Sequence, residues 1–436
     1  MSADIQPLTP ASGAADRQGP GATGGGSVYL DAYLAPFRQW LDRDTVTEII
    51  VNRPGEVWIE DAAIPGGMQR IETDAITDML VQRLAEQVAR VSHQGINREH
   101  PLLGATLPDG ARVQFCGPPA ARKHWVMAIR RHRRLDLPLD AYDTGPLKQQ
   151  EKAAMPDPQA EPIAFLREAI LQRQTILISG GTSTGKTTFL NAMLGEIPKD
   201  QRVVLVEDTP ELKLPGENGV GLVAVKGELG EAKVTANELL QAALRLRPDR
   251  IVLGELRGEE SVSFLRAINT GHPGSFSTVH ANSLHGALEQ LSLMVMQTGI
   301  GLSRRDIIAY AASVIDVMVQ LGRGADGKRG IAQIARSADL LRISDIVMAV
   351  DEPIRVTRCN PNTGKGCMPD GGRCLTHDLW EELSNHIYLF LSTVSLEDVC
   401  ERRVLGTSGV LHAAQRNENE QQSHLPASPA SIVAAE

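Results

Sequence analysis

The sequence predicts an α/β protein in which an N-terminal α+β domain precedes a P-loop nucleotide-binding domain and a small, mainly helical C-terminal module. Three observations lead to this prediction. Short apolar runs alternate with helical patterns in the middle of the chain, which is typical of strands buried on both faces of a parallel sheet. A glycine-rich loop follows one of these runs, and a cysteine-rich segment lies near the C-terminus.

Length and composition limit the possible classes of protein. A chain of 436 residues suggests about three folded units at ~150 residues each. The net charge of -9 argues against a surface built as a whole for nucleic acid. Five cysteines are too few for a disulfide framework and favour a reducing cytosol. The sequence also lacks a run of the ~18 apolar residues that a membrane-spanning helix needs.

The first domain is predicted over residues 28–135, after a disordered lead at 1–27 that is rich in Ala, Gly and Pro. It opens with apolar residues at helical spacing, namely Leu30, Tyr33, Leu34, Phe37 and Leu41. This stripe either packs on its own domain or contacts a membrane or a partner. Strands are predicted at 46–51 and 56–59, and a helix at 74–91.

The rest of the chain divides into four segments. They are a proline-rich linker at 136–162, the nucleotide-binding domain at 163–326, a third unit at 328–402 and a disordered tail at 403–436. Three apolar runs predict buried strands of the nucleotide-binding domain: 175–179, 203–206 and 251–253.

A phosphate-binding loop follows the run at 175–179. Its residues fit the pattern G-x-x-x-x-G-K-T and are Gly180, Gly181, Thr182, Ser183, Thr184, Gly185, Lys186, Thr187 and Thr188. In such loops backbone N–H groups point at phosphate oxygens, the lysine reaches the β- and γ-phosphates, and the Ser or Thr after it ligates Mg²⁺. The loop therefore predicts a nucleoside triphosphate site with Lys186 on the phosphates and Thr187 on the metal.

Acidic residues follow two other predicted strands. Glu255 ends the run at 251–253, where a metal-side or water-orienting acid belongs, and Glu207 and Glu211 follow the run at 203–206. Taken alone, Glu255 could be a solvated glutamate at a strand end, and Glu207 or Glu211 could be a helix cap or a turn residue. His280, after a further short strand, is either a phosphate sensor or a core or capping histidine.

A basic run ends the first domain and consists of Arg122, Lys123 and residues 130–134. Charge clusters are usually solvated surfaces. Beside a triphosphate site, however, arginines that reach across a domain or subunit boundary can neutralise transition-state charge. Both interpretations stay open at this point.

Five segments over residues 28–326 carry a resemblance to a known family. They are residues 101–114, the P-loop, 207–211, 253–258 and 270–280. In this order they resemble the first-domain segment, Walker A loop, Asp box, Walker B region and His box of the traffic ATPases of type IV secretion and conjugation, which are hexameric motors.

The resemblance implies a RecA-like motor domain that binds ATP and Mg²⁺. It also implies a homohexamer in the cytoplasm, peripheral to the inner membrane, with inner-membrane type IV secretion components and other secretion ATPases as partners. By the same likeness Glu211 is the water-activating base, Glu255 the Walker B acid and His280 part of the His box. Arg112 and Arg130 match the positions from which the first domain reaches the phosphates.

A second constellation lies in a Gly- and Pro-rich loop and consists of Cys359, Cys367, Cys374 and His377. Three thiolates and an imidazole suit an iron–sulfur cluster or zinc, and unligated thiols are the third possibility. Residues 334–353 and 373–380 resemble the C-terminal half of the iron–sulfur regulator IscR. That resemblance, over 328–402, implies a 2Fe–2S cluster on these four residues.

A narrow apolar seam follows the cysteine loop, formed by Trp380, Leu383, Ile387 and Phe390. It resembles the dimerisation helix of that regulator, and packing on the motor domain is the alternative. The regulator's winged helix-turn-helix has no counterpart here, so sequence-specific DNA binding is not expected. The leading hypothesis is an ATP-driven secretion or conjugation motor, and the alternative is an iron–sulfur-binding regulatory protein related to IscR.

Overall fold

The computed structural model describes residues 26–64, 66–131, 154–227, 232–324, 326–340 and 375–394, together with residues 347 and 399. The predicted lead at 1–27 falls almost wholly outside these ranges. Most of the predicted linker, much of the C-terminal module and the tail also lie outside them. We call residues 26–131 the N-terminal unit and residues 154–340 the second unit.

The N-terminal unit opens with a helical segment that packs on its own core. It consists of α1 (Gly26–Leu34), a 3-10 turn (Ala35–Phe37) and α2 (Arg38–Leu41). The turn falls at Pro36, which has no N–H to donate to an α-helical bond. Leu30, Leu34, Phe37 and Leu41 are all buried in the cluster formed with the following strands. The amphipathic stripe therefore faces the core of its own domain.

An antiparallel sheet of six strands completes this unit. In chain order the strands are β1 (Val46–Val51), β2 (Glu56–Asp61), β3 (Met68–Glu72), β4 (Leu102–Thr106), β5 (Arg112–Cys116) and β6 (Val126–Arg130). In space they run β3-β2-β1-β6-β5-β4. Helix α3 (Asp78–Val91) begins after Thr77, whose hydroxyl accepts the Leu80 N–H at 3.1 Å and so caps the helix.

A sheet of seven strands forms the second unit, in the order β15-β14-β7-β13-β12-β8-β9. Its strands are β7 (Ile176–Gly180), β8 (Val203–Glu207), β9 (Gly219–Val223), β12 (Arg250–Leu253), β13 (Phe276–Val279), β14 (Val317–Arg323) and β15 (Arg329–Arg336). A separate ribbon pairs β10 (Val225–Lys226) with β11 (Lys233–Val234). All seven strands except β15 are parallel, so their carboxyl ends meet at one edge.

Helices cover both faces of this sheet. They are α4 (Pro162–Leu171), α5 (Lys186–Gly195), α6 (Ala236–Ala243), α7 (Glu260–Asn269), α8 (Leu284–Gln297), α9 (Arg304–Val314) and the short α10 (Ser337–Leu340). Helices α4 and α5 pack on one face and α6 to α9 on the other, which confirms the predicted α/β class. Among the described residues, no helix has the length and apolarity that crossing a membrane requires.

The two units share a continuous apolar interface. Ile50, Trp58 and Val126 of the N-terminal sheet lie in one buried cluster with Leu222 and Leu240 of the second unit. A polar contact crosses the same interface. The fully buried Arg202 guanidinium donates to Asn52 Oδ1 at 2.7 Å and to Asn218 Oδ1 at 2.6 Å. Buried charge that is hydrogen-bonded on both sides holds the two units in one relative position.

Strand β15 extends the second sheet beyond residue 326, where the sequence predicts the nucleotide-binding domain to end. It pairs antiparallel with β14, from Val317 opposite Arg336 to Arg323 opposite Arg329. Only Ile334 of this strand is buried. An edge strand with one exposed face carries a weak apolar pattern, which explains why the pattern of the sequence does not mark it.

The C-terminal helix α11 (His377–Thr393) agrees with the predicted helical character of this region. Trp380, Leu383 and Phe390 of its apolar seam are 41%, 39% and 47% exposed. Packing of the seam on the second unit is therefore not seen among the described residues. Cys359, Cys367 and Cys374 lie outside the described residues, so only His377 of the four predicted cluster ligands has a described position.

Cys116, at the end of β5, is a fully buried thiol, and burial raises its pKa to about 12. Because the thiolate is the reactive species, we expect Cys116 to resist iodoacetamide at pH 8 in the native protein and to react fully in urea. Peptide mass mapping separates Cys116 from the other cysteines. Native modification at the rate of a free thiol would contradict this burial.

Candidate nucleotide-binding site

The carboxyl ends of β7, β8, β12 and β13 surround a cavity of about 380 Å³. Ligands bind at this edge in open α/β sheets. The lining residues come from the P-loop, from the three segments that follow the other strands and from β15: Ser183, Thr184, Gly185, Lys186, Thr187, Thr188, Glu207, Asp208, Thr209, Glu211, Leu212, Gly254, Glu255, Arg257, Thr278, His280 and Arg329.

The P-loop forms the floor of the cavity. Gly185 has a φ of +92°, a left-handed conformation that glycine adopts without strain, and α5 begins directly after it at Lys186. The first N–H groups of a helix have no partner within the helix and favour anions. Residues 183–188 line the cavity, whereas Gly180, Gly181 and Thr182 of the predicted loop do not.

Lys186 lies at the centre of the loop and is 9% exposed. Its ammonium donates to the carbonyl oxygens of Gly180 at 2.9 Å and Gly181 at 3.3 Å, and to Nδ1 of His280 at 3.0 Å. Burial lowers the pKa of Lys186, and the nearby Glu255 carboxylate opposes that shift. The ammonium is thus held at the cavity by neutral acceptors that phosphate oxygens can replace.

Glu255 links the P-loop side of the cavity to the acidic side. Its Oε1 lies 2.7 Å from Nε2 of His280, and its Oε2 accepts from Nε of Arg257 at 2.8 Å. Arg257 also donates to Asp208 Oδ2 at 2.9 Å. His280 therefore bridges Lys186 and Glu255, while its side chain stays 50% exposed. These contacts favour a role at the phosphates over a core or capping role.

Glu207 shapes the turn that carries Glu211. It is 3% exposed, and its Oε1 accepts the backbone N–H groups of Glu211 at 2.9 Å and Leu212 at 2.8 Å. The carbonyl of Glu211 accepts from Nδ2 of Asn191 on α5 at 3.2 Å. The backbone of Glu211 is thus fixed from two sides, and the residue lines the cavity.

Arg112 and Arg130 lie elsewhere on this chain. They are opposite one another on β5 and β6, and neither is among the residues that line the described cavity. Arg130 is 69% exposed, with its Nε 3.5 Å from Oε1 of Glu48. Burial raises the pKa of Glu48 to about 7, and the nearby Arg130 opposes that shift. The predicted role of both arginines at the phosphates stays a prediction.

Arg329 is a lining residue that the sequence motifs do not reveal. A Cβ placed on Gly185 would lie 3.2 Å from Arg329 Cδ, so the arginine stem packs directly on the P-loop. Its neighbour on the hairpin, Arg323, donates from Nη2 to the carbonyl of Ser183 at 3.1 Å. Pairing of β15 with β14 brings Arg329 to the loop, and no local spacing in the sequence signals that pairing.

We expect Arg329→Ala to raise the KM for ATP about 5- to 10-fold and to leave kcat within about twofold, because loss of a ground-state phosphate contact acts on binding. Steady-state phosphate release measures both constants. Arg305→Ala removes the same charge from α9, outside the described cavity, and serves as the matched control. An unchanged KM in Arg329→Ala would show that the arginine does not contact bound nucleotide.

Comparison with known proteins gives two family matches. Residues 32–330 match the family described as "Type II/IV secretion system protein". Residues 318–402 match Rrf2, described as "Iron-dependent Transcriptional regulator", in agreement with the IscR-like resemblance. The two matches overlap at 318–330, within the β14–β15 hairpin.

Individual relatives agree with the first match. The chain is 41% identical over 323 residues to the type IV secretion system protein PtlH homolog of Bordetella bronchiseptica, with 70% of this chain and 94% of the relative covered. It is 35% identical over 327 residues to the type IV secretion system protein VirB11 of Bartonella henselae, covering 69% and 91%. The solved VirB11 ATPase of the Brucella suis type IV secretion system, in complex with sulphate, is 33% identical with a TM-score of 0.65, covering 71% and 95%.

Proposed function

This chain belongs to the type II/IV secretion system protein family, and from that membership we propose that it hydrolyses ATP to power a type IV secretion or conjugative DNA-transfer apparatus. The observation that carries the proposal is the cavity in which Lys186, Glu211 and Glu255 meet on a P-loop. A phosphate loop with two acids at its open edge is the arrangement that phosphoryl transfer to water requires.

In the proposed reaction the P-loop binds the phosphates of ATP. Lys186 exchanges its contacts with the Gly180 carbonyl and His280 for oxygens of the β- and γ-phosphates. Thr187 lines the cavity beside it, and its hydroxyl suits a Mg²⁺ ligand, an ion that would neutralise charge between those phosphates. The residues present therefore fit a Mg²⁺-bound nucleotide.

Hydrolysis forms one P–O bond from water to the γ-phosphorus and breaks the bond from that phosphorus to the β,γ-bridging oxygen. Glu211 accepts the proton that the attacking water loses, while ADP leaves with the bridging oxygen. Glu255 holds His280 in contact with Lys186. Phosphate that draws the Lys186 ammonium away breaks this contact, and His280 thereby senses the bound phosphate.

The direct test is phosphate release from ATP by the purified full-length chain. Turnover that requires Mg²⁺ and stops with EDTA supports the proposal, and delivery of the gene to a bacterium lacking its own secretion ATPase should restore transfer. A folded chain that binds ATP yet releases no phosphate, whichever nucleoside triphosphate and metal ion the assay supplies, would overturn the proposal.

We propose further that the working form is a homohexamer, cytoplasmic and peripheral to the inner membrane, with membrane-embedded type IV secretion components and other secretion ATPases as partners. Arg112 and Arg130 lie outside the described cavity of their own chain, and a ring gives them access to nucleotide held next to a neighbouring subunit. Analytical ultracentrifugation with ATP should give six times the monomer mass. A monomer at every concentration would contradict the ring.

The second family match favours a further role for the C-terminal segment. We propose that Cys359, Cys367, Cys374 and His377 hold a 2Fe–2S cluster, as the IscR-like resemblance implies. Among the described residues, His377 lies with Asp378 and Glu381 in a group of possible metal ligands, in which the two carboxylates are oxygen donors and unlike the thiolates of a cluster site. Of the four proposed cluster ligands the structure describes His377, and ATP hydrolysis as proposed uses none of them.

Iron content and the visible absorption of anaerobically purified protein decide between the cluster, zinc and free thiols. Two irons per chain with charge-transfer bands that vanish in Cys367→Ser would support the cluster. Binding to a promoter-like duplex with high sequence selectivity would instead favour the regulatory alternative over the motor.

A further inference from the structure

A loop of the N-terminal unit reaches onto the second sheet. The segment 117–125 connects β5 to β6, and the backbone of three of its residues pairs with strand β9. Ala121 forms an isolated bridge with Leu222, the Arg122 N–H donates to the Gly221 carbonyl at 3.1 Å, and the Val223 N–H donates to the Ala120 carbonyl at 2.8 Å. The backbone of the loop is therefore anchored on β9.

The side chain of Arg122 continues from this anchor toward the nucleotide cavity. It passes over Gly221, where a Cβ would lie 2.4 Å from Arg122 Nε, so only glycine leaves room for it. The guanidinium forms an ion pair with Glu207, and its Nη1 donates to the carbonyl of Leu212 at 2.9 Å. The side chains of Arg122 and Glu207 are 20% and 3% exposed, so water screens this pair weakly.

The partners of Arg122 are the same groups that hold Glu211. Glu207 uses its other oxygen to accept the N–H groups of Glu211 and Leu212, and Leu212 is the residue whose carbonyl Arg122 binds. One guanidinium of the N-terminal unit thus holds both sides of the turn at 207–212. The described contacts of Arg122 do not include the P-loop, whose Lys186 is instead held by Gly180, Gly181 and His280.

We propose that Arg122 is a positioning residue through which the N-terminal unit sets the location of Glu211 for attack on the γ-phosphate. This inference rests on the proposed ATPase function and adds the residue that couples the first domain to the proposed base. Any displacement of the N-terminal unit that draws loop 117–125 away from β9 breaks both contacts of Arg122 at once. Nucleotide binding at the P-loop survives that displacement, whereas the turn that carries Glu211 is released.

Arg122→Gln is expected to lower kcat at least about 10-fold and to leave the KM for ATP within about twofold, because small misplacement of a reacting group costs rate while the binding contacts persist. Lys123→Gln is the matched control. It removes the same charge from the next residue of the loop, which is exposed and lies outside the described nucleotide cavity. Its kinetic constants should equal those of the wild type.

A double-mutant cycle distinguishes positioning from a general loss of stability. Removing Arg122 alone leaves the buried Glu207 carboxylate without its charged partner, which is strongly unfavourable. Glu207→Gln added to Arg122→Gln removes that unpaired charge, so the double variant should lose no more kcat than the more impaired single variant. Additive losses would overturn the proposal.

Amide hydrogen exchange supplies a readout that does not depend on catalysis. The Leu212 and Glu211 amides should lose protection in Arg122→Gln but not in Lys123→Gln, with both variants melting cooperatively. If Arg122→Gln fails to melt cooperatively, Arg122→Lys, which retains the charge but not the forked geometry, replaces it with the same expectation. Unchanged protection and unchanged kcat would overturn the inference. A wild-type chain without ATPase activity would refute the proposed function and not the Arg122 contact. Hydrogen-exchange protection of the Leu212 amide reports that contact whether or not ATP is hydrolysed.

Discussion

Lys186→Ala is expected to abolish ATP hydrolysis, with kcat lowered on the order of 10³-fold or more, because the variant loses the cation that the P-loop places on the β- and γ-phosphates. Lys186 is 9% exposed at the base of the cavity, and the described P-loop offers no second ammonium at that place. Steady-state phosphate release measures the loss, and a fluorescent ATP analogue measures how much binding remains.

The fold should survive this substitution. Burial lowers the pKa of Lys186, so its charged form is less favourable in the folded protein than in water, and removing the charge relieves that cost. We expect the melting temperature to be unchanged or slightly higher. Lys199→Ala, an exposed lysine beyond α5, is the control and should keep wild-type activity. Undiminished turnover in Lys186→Ala would refute the nucleotide site.

The strands found from the sequence are those whose apolar runs are buried on both faces. Residues 203–206 and 251–253 form fully buried strands. A strand buried on both faces needs a continuous run of apolar residues, and such a run is visible in the local sequence. The strands that the sequence did not reveal have other compositions. β3 is partly or fully exposed at each of its five residues, and β9 carries two glycines among its five residues. Their pairing partners, rather than their own residues, make them strands.

The same distinction applies to the site. The P-loop is a local motif, and Glu255 and His280 could be placed beside it because parallel strands share one carboxyl edge. Arg329 lines the cavity from an edge strand, and Arg122 reaches the lining residue Glu207 from a hairpin loop of the other unit, so only the tertiary fold brings either arginine to the site. Arg112 and Arg130 are a different case. A resemblance predicts them at the phosphates, and they lie side by side on a strand pair without lining the described cavity of their own chain, so their role stays a prediction.

The boundary between the part of the chain that matches the secretion family and the part that matches Rrf2 also depends on strand pairing. The Rrf2-like match begins at residue 318, yet β14 lies inside the second sheet next to β7, and β15 pairs with β14 and contributes Arg329 to the cavity. The first residues of the regulator-like match therefore belong physically to the sheet that carries the P-loop. Because Arg329 packs on Gly185, a change in the C-terminal segment that shifts β15 would reach the P-loop directly.

The two acids of the cavity are expected to separate in the size of their effect on hydrolysis. Glu211→Gln should lower kcat about 10²- to 10³-fold, because the amide cannot accept the proton of the attacking water. Glu255→Gln should lower kcat about 10-fold, since its loss acts on His280 and Arg257 rather than on proton transfer. Steady-state phosphate release by each variant measures both losses.

Both variants keep the size of the side chain and leave Lys186 in place, so each should still bind ATP with an affinity close to that of the wild type. Glu259→Gln, an exposed acid four residues beyond Glu255, controls for the loss of one negative charge near the site. The opposite pattern, with the larger loss of kcat in Glu255→Gln, would transfer the role of base to Glu255. In that case the turn at 207–212, and with it the Arg122 contact, would act on the shape of the cavity and not on the attacking water.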